Sequence, residues 1–195
     1  MNTYKLASHN SWSYLPVRKW YMKPFAFVAR CQSIGIEEQY RRGVRCFDLR
    51  LRWSDTGKRL LVHGMMEYEL PTYQLDGQLE WLNKMSSNAD PIYVRVMHDV
   101  RTRHQYTIAS LTHFKSFCYT AERCYPNLTL WCGRNLYNWE VDYDFGNEVT
   151  CDEQYSSVCA PRWLDDWWPW LYARLNNNKI LKNGTDKEFI MIDFV

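Results

Sequence analysis

The chain has 195 residues with a formal net charge of +2, and 46% of its residues are hydrophobic and 24% charged. This is the size and composition of one globular protein with a sizeable core, so we expect a single domain over residues 1–195. The small net charge gives no whole-protein argument for a nucleic-acid partner, and we expect none.

Export signals and cysteine usage set the expected compartment. No apolar run reaches signal-peptide or bilayer-spanning length, so the chain as written is predicted to be cytoplasmic, or secreted if a signal was removed. The seven cysteines include no Cys-x-x-Cys pair, which argues against a zinc site and favours free thiols. In a secreted protein Cys151 and Cys159 could form a bridge, and Asn127 and Asn183 begin glycosylation triplets.

The first predicted strand, residues 3–8, runs directly into the polar sequence Ser8-His9-Asn10-Ser11. A loop at 11–31 follows, and its part at 16–27 mixes cations with aromatic rings. Such a mixture suits a lipid–water interface, which predicts peripheral membrane contact through residues 16–27. The alternative is a loop that folds over the edge of the sheet with its aromatic side chains inward.

A helix is predicted within residues 32–43. Glu37 and Glu38 lie in its first turn, Arg41 and Arg42 in its last, and a glycine follows. Acidic residues near the start and basic residues near the end complement the helix dipole. The segment therefore has the charge pattern of a short helix between two strands.

The next two strands are predicted at 44–52 and 59–63, joined by turn residues at 54–58. Asp48 and Arg50 are two residues apart on the first of these strands, so their side chains share a face. The second strand ends on a histidine. Polar residues that follow apolar strand residues in this way are typical of a site at the ends of strands.

The second half of the chain alternates helices with strands. One helix begins at Leu70-Pro71-Thr72 and presents Leu75, Leu79 and Leu82 on one face. Strand 92–97 ends at His98-Asp99, and the helix at 104–120 is predicted to have Ile108, Leu111 and Phe114 on one side. The remaining predicted elements are strands at 128–132 and 136–143, a helix that begins near Trp167-Trp168-Pro169-Trp170, and a last strand at 189–194.

Alternating helices and strands predict a parallel sheet, in which the carboxyl ends of the strands meet at one edge. The polar residues expected there include two histidines, an arginine and two carboxylates. These are the parts needed to cleave a phosphodiester, since one imidazole takes a proton, another gives one, and a guanidinium neutralises the phosphate. The full candidate set is His9, Asn10, Asp48, Arg50, His63, His98 and Asp193.

Three segments carry a resemblance to a known family: SHNS after the first strand, QSIGIEEQYRRGVRCFDLRLRW, and LLVHG. In this order they resemble the X region of phosphatidylinositol-specific phospholipase C, of the bacterial metal-independent type. The resemblance is dense over residues 5–70 and returns at the last strand. It implies an α/β fold of the TIM-type (β/α) barrel class. Because such barrels usually need roughly 200 residues or more, this barrel is expected to be compact and incomplete or distorted.

The same resemblance implies roles at matching positions. His9 looks like the general base, held by Asp193, and His63 looks like the general acid. Arg50 matches the arginine that contacts phosphate in the metal-independent enzymes, where the calcium-dependent branch has an acidic residue. We therefore expect no metal and no cofactor. Asp48 would orient His63 or Arg50.

Two residues depart from the family pattern. Asn10 stands where the bacterial enzymes carry aspartate, and His98 stands where they carry a lysine near the phosphate. Both are predicted to bind substrate, together with Arg50. The strand at 136–143 offers no counterpart of the headgroup-binding arginine, because Trp139 and Glu140 occupy that region. Inositol is therefore the least specified part of the assignment.

Each candidate also has a structural interpretation. A single histidine at a strand end is often only hydrogen-bonded, Asp48 and Arg50 could form a plain ion pair, and Asp193 could be a surface carboxylate. His104 and His113 are predicted to face solvent from a helix and are assigned no role. The tryptophans at 163, 167, 168 and 170 are expected to pack at the core or rim rather than to anchor the protein in a membrane.

The function favoured by this pattern is a phosphoric diester hydrolase or lyase of the phospholipase C type, acting on a phospholipid or another phosphodiester. Two alternatives stay open. One is a non-catalytic lipid- or phosphate-binding module on the same barrel. The other is a glycerophosphodiester-type phosphodiesterase, whose relatives need Mg²⁺ held by several carboxylates, where this chain supplies Arg50.

Overall fold

A computed structural model describes residues 4–99, 107–135, 141–142, 167–183 and 189–195. The chain divides into two compact units, Met1–Asp48 with Thr150–Val195 and Leu49–Val149, and the boundary falls inside the second strand. The described strands are β1 (Lys5–Ser8), β2 (Val44–Trp53), β3 (Arg59–His63), β4 (Met66–Tyr68), β5 (Ile92–Asp99), β6 (Leu128–Asn135), β7 (Val141–Asp142) and β8 (Phe189–Ile192). The described helices are a 3₁₀ helix (Trp20–Val28), α1 (Ile36–Arg41), α2 (Thr72–Met85), α3 (Ile108–Cys124) and α4 (Pro169–Asn183).

In the first unit β1 pairs in parallel with β8 on one side and with β2 on the other. All four residues of β8 are buried, as expected of a parallel strand covered on both faces. In the β1–β8 register Ser8 lies opposite Ile192. The residues that follow the two strands, His9 and Asp193, therefore emerge at the same end of the sheet.

The helix predicted within residues 32–43 is shorter than that range. Gly35 is the N-cap of α1, and the two glutamates of the first turn lie where the sequence placed them. Gly43 follows the helix with φ of 96°, a backbone conformation that glycine adopts without steric cost. This glycine turns the chain directly into β2.

The segment predicted as a loop at 11–31 contains the 3₁₀ helix, with Pro24 inside it. None of its residues is buried, and its aromatic side chains point outward. Without a buried face the segment shows no 3.6-residue apolar period, which explains why no helix was predicted there.

The expectation of a purely parallel sheet is wrong for the second unit. β2 and β3 pair antiparallel, with Leu51 opposite Leu61, and β3 pairs antiparallel with β4. The reason is connection length: the turn closed by Gly57, whose φ is 78°, is too short for the crossover that parallel strands need. β4, with only three residues, was missed because it is too short to show alternation.

The rest of the second unit pairs β5 with β6 in parallel over eight residues, and β6 with β7 antiparallel. Only Val141–Asp142 of the strand predicted at 136–143 is described as strand, and residues 136–140 and 143 lie outside the described part. The mixed α/β fold is confirmed. A complete barrel is not shown by the described residues.

The helices confirm one predicted apolar face and correct another. Leu75, Leu79 and Leu82 of α2 are all buried, as predicted. In α3 Phe114 is buried, but Ile108 is 86% exposed and not inward-facing. Thr107 caps α3 through a capping box with Ser110, which places Ile108 at the first, solvent-facing position of the helix and leaves the core to Phe114, Cys118 and Ala121.

The cysteines within the described residues are free thiols, namely Cys31, Cys46, Cys118, Cys124 and Cys132. A hydrogen bond with Cys132, and then burial, raise the pKa of the Cys118 thiol, so this thiol stays protonated and unreactive. Cys151 and Cys159 lie outside the described residues. None of the described helices has the length and apolar character needed to cross a bilayer.

The buried face of α2 can be tested by one substitution. Leu79→Ala is expected to lower the free energy of unfolding by about 2–5 kcal/mol, because it leaves a cavity beneath the helix. Urea unfolding followed by circular dichroism measures this loss. The control is Glu80→Ala, since Glu80 is exposed and pairs with Lys84, at 2.7 Å, in the same helix. Equal losses in the two variants would contradict the burial of this face.

Candidate active site

The structure brings together His9 and Asp193 at the end of the first unit's sheet. His9 Nδ1 lies 2.8 Å from Asp193 Oδ1, and the two residues are only 7% and 3% exposed. The backbone N–H of His9 also donates to the carbonyl of Ile192 at 3.0 Å. A carboxylate on Nδ1 orients the ring and favours the tautomer in which Nε2 carries the lone pair. Nε2 is then the atom that can accept a proton.

Asp48 holds the backbone that follows β1. Its Oδ2 accepts the N–H of Asn10 at 3.0 Å, and its carbonyl accepts the N–H of Ser11 at 2.9 Å. Asn10 has φ of 39°, a left-handed conformation that asparagine tolerates better than most residues. The carboxylate of Asp48 thus fixes the turn that carries His9. Its predicted role in orienting His63 or Arg50 stays a prediction.

The side chain of Asn10 is 1% exposed, and its amide Nδ2 has no hydrogen-bond partner among the residues that the structure describes. A buried donor without an acceptor is costly and is normally satisfied by water or a ligand. An anionic oxygen is a suitable acceptor for this group. Substrate binding by Asn10 is consistent with this observation and stays a prediction.

Arg50 lies in the second unit, on the half of β2 that pairs with β3. Its Nη1 is 3.9 Å from Oδ2 of Asp99, and both residues are buried. The same Oδ2 accepts the N–H of Gly64 at 3.3 Å. Gly64 directly follows His63, at the end of β3. Asp99 therefore links the arginine to the backbone beside the predicted general acid.

The sequence reading did not assign a role to Asp99, although Asp99 ends β5 in the same way as other candidates end their strands. Its position at the end of a strand could therefore have identified Asp99 as a candidate site residue. Cys31 was also missed: its Sγ and a ring nitrogen of His9 lie within 4.8 Å of each other. Nothing in the sequence around Cys31 indicates this approach. A thiol beside an imidazole offers ligands that soft metal ions prefer. A test of metal independence therefore needs a chelator that also removes such ions.

His98 has the surroundings of a core residue. It is fully buried, its ring stacks on Phe114 at 5.3 Å and meets the edge of Trp53 at 5.7 Å. Its Nδ1 lies 3.4 Å from the carbonyl of Leu51. The structural interpretation is favoured by these contacts, and its predicted role at the phosphate stays a prediction.

The fold of the chain is that of bacterial phosphatidylinositol-specific phospholipase C. Phosphatidylinositol-specific phospholipase C from Listeria monocytogenes superposes with a TM-score of 0.61 at 12% identity, over 100% of this chain and 91% of that one. The N254Y/H258Y double mutant of the Staphylococcus aureus enzyme superposes with a TM-score of 0.64 at 14% identity, over 97% and 84%. A further structure of the Staphylococcus aureus enzyme, concerned with the modulation of its membrane binding, superposes with a TM-score of 0.60 at 12% identity, over 97% of this chain and 85% of that one. At these identities the likeness shows the fold alone.

No family model matches the sequence, and no curated protein matches it either. The fold is therefore recognisable from the structure where whole-sequence comparison finds nothing.

The bond from Asp48 to the turn after β1 can be tested by stability. Asp48→Ala is expected to lower the free energy of unfolding by about 1–3 kcal/mol, because the buried N–H of Asn10 loses its acceptor. Asp48→Asn keeps an oxygen that can accept this bond and should lose less. Thermal unfolding of both variants measures the difference. Equal stability of Asp48→Ala and the unchanged protein would remove this role of the carboxylate.

Proposed function

We propose that the protein is a metal-independent phosphodiesterase of the phospholipase C type. The observation that carries this proposal is the buried His9–Asp193 pair, 2.8 Å apart, at the carboxyl ends of two parallel strands. Pure binding of a phosphate needs no imidazole held by a buried carboxylate. A histidine that acts as a general base benefits from such a carboxylate, because the carboxylate stabilises the imidazolium that forms when the base takes a proton.

The proposed reaction follows from the groups present. His9 Nε2 removes the proton of a hydroxyl on the substrate, and that oxygen attacks the neighbouring phosphorus. The bond from phosphorus to the leaving oxygen breaks, and His63 gives the leaving alcohol a proton. The products are a cyclic phosphate and an alcohol. Arg50 neutralises the negative charge that grows on the phosphate oxygens, and the amide of Asn10 adds a hydrogen bond there.

Metal independence belongs to the same proposal. A guanidinium is always charged and offers several donors in a planar fork, so Arg50 can do electrostatically what a bound cation does in other phosphodiesterases. A glycerophosphodiester-type enzyme needs carboxylates around a Mg²⁺ ion instead. Asp48, the carboxylate nearest in sequence to Arg50, accepts a backbone N–H. The metal-free mechanism is proposed on the presence of Arg50, and the chelator experiment below tests it.

A lipid is the substrate class that the surface favours. Aromatic side chains of the 3₁₀ helix are strongly exposed, with Trp20 at 79%, Phe25 at 56% and Phe27 at 51%. The ring centroid of Phe27 lies 6.3 Å from that of Trp168, which directly precedes α4, and the neighbouring Trp167 is 68% exposed. Exposed aromatics of this kind suit the headgroup level of a bilayer, and Arg18 and Lys23, both exposed, suit lipid phosphates.

Phosphorus NMR tests the reaction directly. Purified protein with phosphatidylinositol in mixed micelles and excess chelator is expected to give a cyclic inositol phosphate signal, and His9→Ala should abolish it by removing the base. His113→Ala is the matched control, because His113 lies on α3 and is assigned no role. Loss of turnover on adding chelator alone would contradict metal independence. Equal turnover of His9→Ala and the unchanged protein would overturn the assigned base.

If the protein cleaves another diester but not phosphatidylinositol, the proposed substrate changes to the diester that is cleaved. No product with any diester, together with retained binding of phospholipid, would favour the non-catalytic module.

Vesicle sedimentation tests the lipid surface. The double variant Trp20→Ala/Phe25→Ala is expected to bind phosphatidylcholine vesicles containing an anionic phospholipid at least about tenfold more weakly, because two rings leave the interface. Tyr73→Ala is the control, since Tyr73 is 72% exposed on α2. Equal binding by the two variants would remove the 3₁₀ helix from the proposed contact.

A further inference from the structure

The side chain of Gln32 joins the ends of β1 and β8. Its Nε2 donates to the carbonyl of His9 at 3.2 Å and to the carbonyl of Ile192 at 3.1 Å. Its Oε1 accepts the N–H of Val195 at 3.2 Å. The residue is completely buried, so no solvent competes for these bonds. The three backbone groups that this carboxamide bonds belong to His9 itself or to residues within two positions of Asp193.

The backbone around Gln32 is held as firmly as its side chain. Ser13 Oγ accepts the N–H of Cys31 and the N–H of Gln32, each at 2.9 Å. The carbonyl of Cys31 accepts the N–H of Phe194 at 2.6 Å. Phe194 has φ of 51°, a strained conformation for a phenylalanine that the surrounding bonds have to maintain. Asp193 thus lies between residues that are bonded on both sides to positions 31 and 32.

We propose that Gln32 is a positioning residue that sets the geometry of the His9–Asp193 pair; this rests on the proposed function of that pair as a supported general base. A carboxamide is the side chain that suits this task, since it offers two N–H donors and one carbonyl acceptor on one planar group. Glutamate has the same shape but no donors, so its oxygens would repel the two carbonyls. Asparagine is one methylene shorter and does not reach all three groups.

Gln39 provides a matched control within the same unit. It is completely buried, and its Nε2 donates to the carbonyls of Ser11 and Ile34, at 2.7 and 2.8 Å. It therefore has the same residue type, the same burial and the same number of donated bonds. Neither of its partners flanks Asp193. A loss of stability alone should be similar for the two glutamines, whereas an effect on the pair should appear only for Gln32.

The decisive variants are Gln32→Met and Gln39→Met, which remove the polar group and roughly keep the volume. ¹⁵N NMR of the histidine side chains is expected to show that the His9 titration midpoint falls in Gln32→Met, toward the value in Asp193→Asn. The reason is that a misaligned carboxylate stabilises the imidazolium less. Gln39→Met should keep the midpoint of the unchanged protein. In turnover assays kcat of Gln32→Met should fall roughly 10- to 100-fold with KM unchanged.

An unchanged His9 midpoint in folded Gln32→Met, or an equal shift in both variants, would overturn the proposal. Because the NMR readout needs no turnover, it separates this inference from the proposed function. A shifted midpoint in a protein that cleaves no diester keeps Gln32 as the positioning residue and refutes the enzyme.

If Gln32→Met does not fold, the unchanged protein still gives an answer. The two side-chain amide protons of Gln32 should exchange with solvent at least about 100-fold more slowly than those of exposed Gln74, because both are bonded and buried. Equal exchange rates would show that the bonds to His9 and Ile192 do not persist, and the proposal would fail.

Discussion

Burial of the His9–Asp193 pair is the constraint on which the first unit depends. Both groups lose most of their hydration, and a buried charged group is stable only when it is paired and hydrogen-bonded. The parallel register of β1 and β8 supplies the pairing, because it ends both strands side by side. Two side chains then fix the backbone where the chain leaves these strands. The carboxylate of Asp48 bonds the turn after β1, and the carboxamide of Gln32 bonds the ends of both β1 and β8.

This arrangement explains why short polar sequences at strand ends carry so much of the site. Asp48 has its backbone in β2 and its carboxylate on the turn after β1, so one residue contributes to both the sheet and the site. A substitution of Asp48 therefore changes the position of the backbone after β1 as well as the local charge. We expect a residue with two such functions to tolerate few replacements.

The parts of the fold that follow from local pattern were predictable from the sequence. The strand ends at Ser8 and His63 and the leucine face of α2 were anticipated in this way. The contact between His9 and Asp193 was expected only from the family resemblance, because local pattern does not relate residues so far apart in the chain. The antiparallel β2–β3 pair was not, because pairing direction depends on the geometry of a five-residue turn rather than on apolar alternation. Gln32 was missed for another reason: its importance lies in contacts with the backbone of distant residues, which no residue pattern encodes. Asp99 could have been predicted from its position at the end of β5. Of the remaining sites, the catalytic role of His63 and the substrate-binding role of His98 stay predictions.

The second unit shows how a permanent cation can be kept in a buried position. At 3.9 Å, Asp99 stabilises the charge of Arg50 through Coulomb attraction, at a distance longer than a hydrogen bond. The carboxylate therefore offsets part of the cost of removing the guanidinium from water. Its own hydrogen bond goes to the N–H of Gly64. Asp99 therefore acts on two groups at once, because it balances a buried cation and fixes the backbone directly after His63.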